Sequence, residues 1–165
     1  MRDELTQVDI DKMQAELDHR MRELRPKMIA EVQRTRAFGD LSENFEYKEA
    51  KREKNRNDSR IRYLERMIKS ARVIKTDHAA GTVGLFDKVE IDMGGMQRAI
   101  TLVTTLRQNP LKGLISKESP VGSAIMGHKA GDRVQVTVSP ETKYFVVIKS
   151  FEKGEDDASL DISAY

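Results

Sequence analysis

The chain is 165 residues long, with 34% charged and 38% hydrophobic residues, 5% aromatic, no Trp and a net charge of only +2. So little apolar volume argues against one compact core and for a small core beside a solvated helical element. With no Cys, disulfides and thiolate metal sites are excluded. No apolar run reaches membrane-spanning length, so a cytoplasmic protein with no membrane partner is expected.

Met1-Arg2-Asp3-Glu4 opens on charge and reads as the approach to a helix, not as a signal peptide. Between Thr6 and Thr76 the only Gly is Gly39 and the only Pro is Pro26. Apolar residues recur in steps of three or four at Ile10, Met13, Leu17, Met21, Leu24, Met28 and Val32. Beyond Gly39 a second stripe runs through Ala50, Ile61, Leu64, Ile68 and Ala71, with Asn57 in phase. Two helical stripes of this kind need each other, because neither can be buried alone. Paired antiparallel, Val32 meets Ala50, Met21 meets Ile61, Leu17 meets Leu64, Met13 meets Ile68 and Ile10 meets Ala71. The midpoint of every pair falls next to position 41, where Gly39 independently marks a break. An antiparallel coiled-coil hairpin over residues 1–77 is therefore expected. At 1.5 Å per residue, each arm from Met13 to Asp40 is roughly 40 Å long.

Pro26 should kink or loosen the first arm, since it lacks an N–H. Ser42 is the expected N-cap of the second helix, followed by Phe45, Glu46 and Tyr47 in its first turns. Asp40 and Glu43 flank the turn. Taken alone, they fit two readings: caps that complement a positive helix start, or carboxylates presented as oxygen ligands to a hard cation held by a partner. No His or Cys nearby would complete a metal site.

Charge is unevenly spread. From Lys48 to Lys75 there are eleven Lys/Arg against four Asp/Glu, whereas Glu152 to Tyr165 holds five acids and one Lys. On a helical wheel Lys48, Lys51, Arg52, Arg62, Arg66 and Lys69 lie away from the seam. A charged outer face is either merely solvated or turned to phosphates.

After Thr76 the texture changes. Lys88–Met93, Gly94-Gly95 and Arg98–Thr104 read as a β-hairpin. Ser119 caps a short helix with Pro120 at its first position. Arg133–Val138 and Tyr144–Ile148 form a second hairpin around Pro140-Glu141. Residues 78–152 are thus a small α+β domain. Residues 153–165, acidic and poor in core residues, are expected to be disordered.

The run Phe38-Gly39-Asp40-Leu41-Ser42-Glu43-Asn44-Phe45-Glu46-Tyr47 closely resembles the tip signature of the GreA/GreB transcript cleavage factors. The resemblance continues through Arg25-Pro26, Arg36, Ala50-Lys51 and Arg72-Val73-Ile74. It resumes at Gly113-Leu114-Ile115-Ser116, along Ser119 to Gly127, and at Lys129-Ala130-Gly131-Asp132. Two departures stand out: Lys51 where the family usually has Arg, and Phe45 where a small residue is common.

The resemblance implies an FKBP-like fold for residues 78–152 with a polymerase-docking role; prolyl isomerase activity is not expected, because Phe86, Tyr144 and Phe145, with no Trp, do not make an aromatic-lined pocket. It also implies that the hairpin enters the secondary channel of a backtracked RNA polymerase. There Asp40 and Glu43 help hold the second catalytic Mg²⁺, with Ser42 assisting by hydrogen bonding. Leu41, Asn44 and Tyr47 become seating residues, and Lys48, Lys51, Arg52 and Arg56 contact the nascent RNA 3′ segment. With few aromatic residues along the arm, that contact is expected to be with phosphates and independent of base. The protein would carry no cofactor of its own, act as a monomer, and be no enzyme itself. A channel-binding inhibitor that does not promote cleavage is the alternative; an unrelated coiled-coil interaction module is disfavoured by the second-half motifs. Acids at Glu49, Glu53, Asp58 and Glu65 interrupt the basic face, which favours GreA-like over GreB-like behaviour.

Overall fold

The computed structural model describes residues 2–39, 44–76 and 79–164. The chain forms two compact units, one helical (Ile10–Ala71) and one built on a sheet (Asp3–Asp9 with Arg72–Tyr165). The α+β class and the helical hairpin agree with the sequence reading.

In the helical unit the first arm comprises α1 (Gln7–His19), a π turn (Arg20–Leu24) and α2 (Arg25–Arg36), and α3 (Phe45–Ser70) returns. Met13, Leu17, Ala50, Ile61 and Leu64 are buried as the stripes predicted. Met21 is not: it is 46% exposed. The reason is Pro26, which has no N–H and whose ring crowds the carbonyl four residues back. The arm loosens as expected, into one wider π turn in which the Arg25 N–H reaches back five residues to the Arg20 carbonyl. That extra residue rotates Met21 outward and brings Arg20 to the seam.

Arg20 meets a polar layer there. Its Nη1 donates to Asn57 Oδ1 at 2.9 Å, and its Nε lies 2.8 Å from Glu16 Oε1. Arg60 from α3 grips the same carboxylate with two nitrogens, at 2.8 and 3.1 Å. One level nearer the hairpin end, Asp58 is paired with Arg25 at 3.1 Å and with Lys54 at 2.9 Å. A polar layer inside an apolar seam permits one register and penalises its neighbours, because slipping would strand Asn57 and Arg60 unpaired.

Burial pushes the Glu16 carboxyl up, but hydrogen bonds from Arg60 and Arg20 outweigh it and hold the group below the usual glutamate range. Asp58 behaves likewise, with Lys54 and Arg25 overcoming burial. A carboxyl depressed in the folded state stabilises above its unfolded pKa, and that stability is lost as pH falls through the folded value. Thermal unfolding followed by far-UV circular dichroism should therefore give a flat midpoint from neutrality to about pH 5, falling below about pH 4. Glu16→Gln should lower the neutral midpoint and flatten the acid fall.

In the sheet unit, β1 (Glu4–Leu5) pairs parallel with β2 (Arg72–Val73). Backbone bonds from Arg72 to Asp3 (2.9 Å) and from Ile74 to Leu5 (2.8 Å) close this clasp. The main sheet has the order β5 (Leu114–Ser116), β4 (Met96–Val103), β3 (Lys88–Met93), β7 (Lys143–Glu152), β6 (Arg133–Thr137). All neighbours are antiparallel except β4 and β5, which run parallel. Alternation along the strands turns Val89, Ile91, Ile100, Leu102, Val134, Val136, Val146 and Ile148 to one face, covered by Ile125 of α4 (Pro120–Ile125). Ser119 caps α4 as expected, its hydroxyl accepting from the Gly122 N–H at 3.0 Å.

The tail departs from expectation. Residues 153–164, expected to be disordered, pack on the sheet unit. The Gly154 N–H and Lys153 Nζ both bind the buried Asp87 carboxylate, at 3.0 and 2.6 Å. A Cβ at Gly154 would come within 2.0 Å of the Phe86 carbonyl, so only glycine passes there. Leu160 packs by Leu85, Phe86 and Val103, and the Ser163 N–H donates to the Leu106 carbonyl at 2.6 Å. One acid of the tail, Asp156, is matched by Arg107, which is wholly buried. Its guanidinium lies 2.5 Å from Asp156 and 2.7 Å from Asp9, donates to the Asp157 carbonyl, and stacks 4.7 Å from the Phe86 ring. The approaches to Asp9 and Asp156 are ionic contacts, too poorly angled to count as hydrogen bonds. None of the described helices is long and apolar enough to cross a membrane.

Candidate functional site at the hairpin end

Asp40, Leu41, Ser42 and Glu43 lie outside the described residues; the structure defines the chain on either side of them. α2 ends at Arg36, and Gly39 follows with φ +102°, a left-handed backbone that suits glycine alone among common residues. α3 begins at Phe45, and its N-cap is Asn44, not Ser42 as expected. The Asn44 Oδ1 accepts from the Tyr47 N–H at 3.0 Å, while its Nδ2 donates to the Thr35 carbonyl at 2.6 Å. Asn44 therefore caps one arm and ties it to the other. The physical advantage over serine is the second arm of the amide, which can donate while the oxygen accepts.

Thr35 completes the clasp. It is buried, its hydroxyl donates to the Glu31 carbonyl at 2.8 Å, and its own carbonyl also accepts from the Phe38 N–H at 3.1 Å. Sequence reasoning placed Asn44 among the channel contacts and missed its structural work; the available signal was an Asx residue directly before the first helical turn. Asn44→Ala removes a cap and a cross-arm bond together. It should cost the hairpin about 1–2 kcal/mol, read as a lower urea midpoint and faster hydrogen exchange at the Tyr47 and Lys48 amides.

The remaining predicted residues are brought to one helix. Tyr47 is half-buried, and Lys48, Lys51, Arg52 and Arg56 are exposed along α3. Arg52 pairs with Glu49 at 3.2 Å and Arg56 with Glu53 at 3.4 Å, each within the helix and in solvent. Exposed pairs of this kind contribute little, so either arginine can exchange its partner for a phosphate at small cost. Lys51 has no ion pair among the described residues. On α2, Arg34 binds Glu31 at 2.5 Å; that hydrogen bond holds Glu31 below the usual glutamate range and pushes Arg34 up. Glu46 adds to the field that keeps Arg34 charged.

Among the described residues no three His, Cys, Asp or Glu side chains converge to hold a metal ion. Asp40 and Glu43 are hard oxygen donors suited to Mg²⁺, but two carboxylates supply only part of the six ligands that ion takes. Such a pair fits a metal whose other ligands come from elsewhere.

Comparison with known proteins bears on the whole chain. Residues 4–73 match the family described as transcription elongation factor, N-terminal (GreA_GreB_N), and residues 78–153 its C-terminal counterpart, GreA/GreB. The chain is 35% identical over 154 residues to the transcription elongation factor GreA of Oenococcus oeni, covering 92% of this chain and 95% of that one. It is 37% identical over 135 residues to the factor of the same name from Mesoplasma florum, covering 80% and 86%. Among solved structures, one described as the transcription factor Gfh1 aligns over 93% of this chain and 99% of its own, at 23% identity and a TM-score of 0.46.

Proposed function

The chain belongs to the GreA/GreB family of transcription elongation factors, and on that premise we propose that it inserts its hairpin into the secondary channel of RNA polymerase and stimulates cleavage of backtracked RNA. The observation that carries the proposal is the pair Asp40 and Glu43, set between two helix ends that Asn44 clasps to Thr35. The clasp holds the two helix ends together, and fixed points of attachment are what positioning a reacting group demands.

Asp40 and Glu43 would hold a Mg²⁺ whose remaining ligands belong to the polymerase, and that ion would supply the Lewis acidity for cutting the RNA 3′ segment. The chain's own work is to present the two carboxylates, to hold the attacking water by hydrogen bonding, with Ser42 assisting, and to seat the tip through Leu41, Asn44 and Tyr47. Lys48, Lys51, Arg52 and Arg56 attract the RNA phosphates. The pairing of Arg52 and Arg56 with acids moderates that attraction and supports GreA-like behaviour. The protein acts as a cytoplasmic monomer, brings no cofactor, and has no nuclease activity of its own.

The test adds the protein to stalled, backtracked elongation complexes with Mg²⁺ and measures short RNA 3′ fragments. Acceleration over polymerase alone is expected, and protein without polymerase should cut nothing. Binding without acceleration would overturn the reading in favour of a channel inhibitor.

A further inference from the structure

Two aromatic side chains flank the hairpin end, and neither belongs to the core. Phe38 is 55% exposed and Phe45 is 78% exposed. Large apolar rings are more often buried, and two left in solvent at one end of the hairpin are open to a partner. Each ring carries a cation: Arg34 Cζ lies 5.0 Å from the Phe38 centroid, and Lys48 Nζ lies 5.7 Å from that of Phe45. The two backbones are held together by the same clasp, since Phe38 donates to Thr35, Asn44 donates to Thr35, and Phe45 follows Asn44.

An aromatic ring with a cation over one face matches a nucleotide, whose base stacks on the other face while its phosphate meets the charge. An apolar pocket of a protein partner would gain nothing from ammonium and guanidinium groups placed on the rings. We infer that Phe45, with Phe38, is a positioning residue that stacks a base of the single-stranded RNA 3′ segment, while Lys48 and Arg34 meet its phosphates. The inference rests on the reading above, that the hairpin end meets backtracked RNA. It changes the expected contact from phosphate alone to phosphate plus base. Every base has a π face, so the contact remains independent of sequence.

Phe45→Ala should leave the thermal midpoint unchanged, because the ring is exposed. On backtracked complexes it should lower stimulated cleavage roughly tenfold at limiting factor, and Phe45→Trp should restore it. The deciding arm uses complexes whose extruded nucleotides are abasic. There the wild type should fall by a similar factor, and Phe45→Ala should fall no further. Wild-type activity in Phe45→Ala would overturn the inference alone. So would a deficit that persists in full on abasic RNA, which would place the ring against polymerase protein. A wild type inert on every substrate would remove the cleavage reading and this inference with it.

Discussion

Asp40→Asn combined with Glu43→Gln is expected to reduce stimulated RNA cleavage by at least about 10²-fold, with binding to the polymerase retained. Both substitutions keep size and hydrogen bonding while removing charge, so they separate the two readings of these acids. As metal ligands, they need the negative charge, and amides are poor replacements on a hard cation. As helix caps they would be replaced almost freely, since Asn caps as well as Asp does. The N-cap of α3 is Asn44, which satisfies the Tyr47 amide, while Ser42 and Glu43 lie outside the described residues. The measurement is fragment release from backtracked complexes beside a competition assay for polymerase binding. Cleavage retained together with binding would mean that the acids only cap the tip, and loss of both would mean that their charge is needed to seat it.

The second large effect concerns the sheet unit. Arg107→Met should destabilise that unit by about 3–5 kcal/mol, the usual cost of removing one partner from a buried ion pair. Asp9, fully buried, and Asp156, partly buried, would both be left without their cation. The Thr6 hydroxyl and the Asp157 carbonyl would also lose their donor. Hydrogen exchange should show the loss at Leu102, Val146 and Ile148, while Leu64 in the hairpin stays protected. Adding Asp9→Asn and Asp156→Asn should restore a large part of the stability, because the deficit comes from uncompensated charge more than from lost packing. A single Arg107→Met variant within about 1 kcal/mol of wild type would show the network to be incidental.

The elements that rest on local periodicity were legible. Alternation marked β3 and β6, and Ser119 with Pro120 marked the start of α4. The helical hairpin itself followed from two stripes and a break. Its details failed where a backbone event intervened: the π turn at Arg20–Leu24 moves Met21 out and Arg20 in, and no count of apolar spacing includes an extra residue. The N-cap was placed at Ser42 because Ser and Asn cap about equally well by propensity. Asn44 prevails through the Thr35 carbonyl, which belongs to the other arm.

Charge was read correctly in amount and wrongly in meaning at the tail. Five acids among fourteen residues read as solvated chain. Two of the residues concerned instead meet Arg107, some fifty positions earlier in sequence. Composition cannot reveal a partner at that separation. By itself, then, the sequence determined the class of fold, the two-helix arm and the tip motif, because periodicity and signature residues act within a few positions of one another. Only the tertiary structure decided which polar side chains are buried, which residue clasps the arms, and where the tail lies. Those outcomes depend on pairs distant in sequence, and burial rewards a charge only when its partner is brought to it.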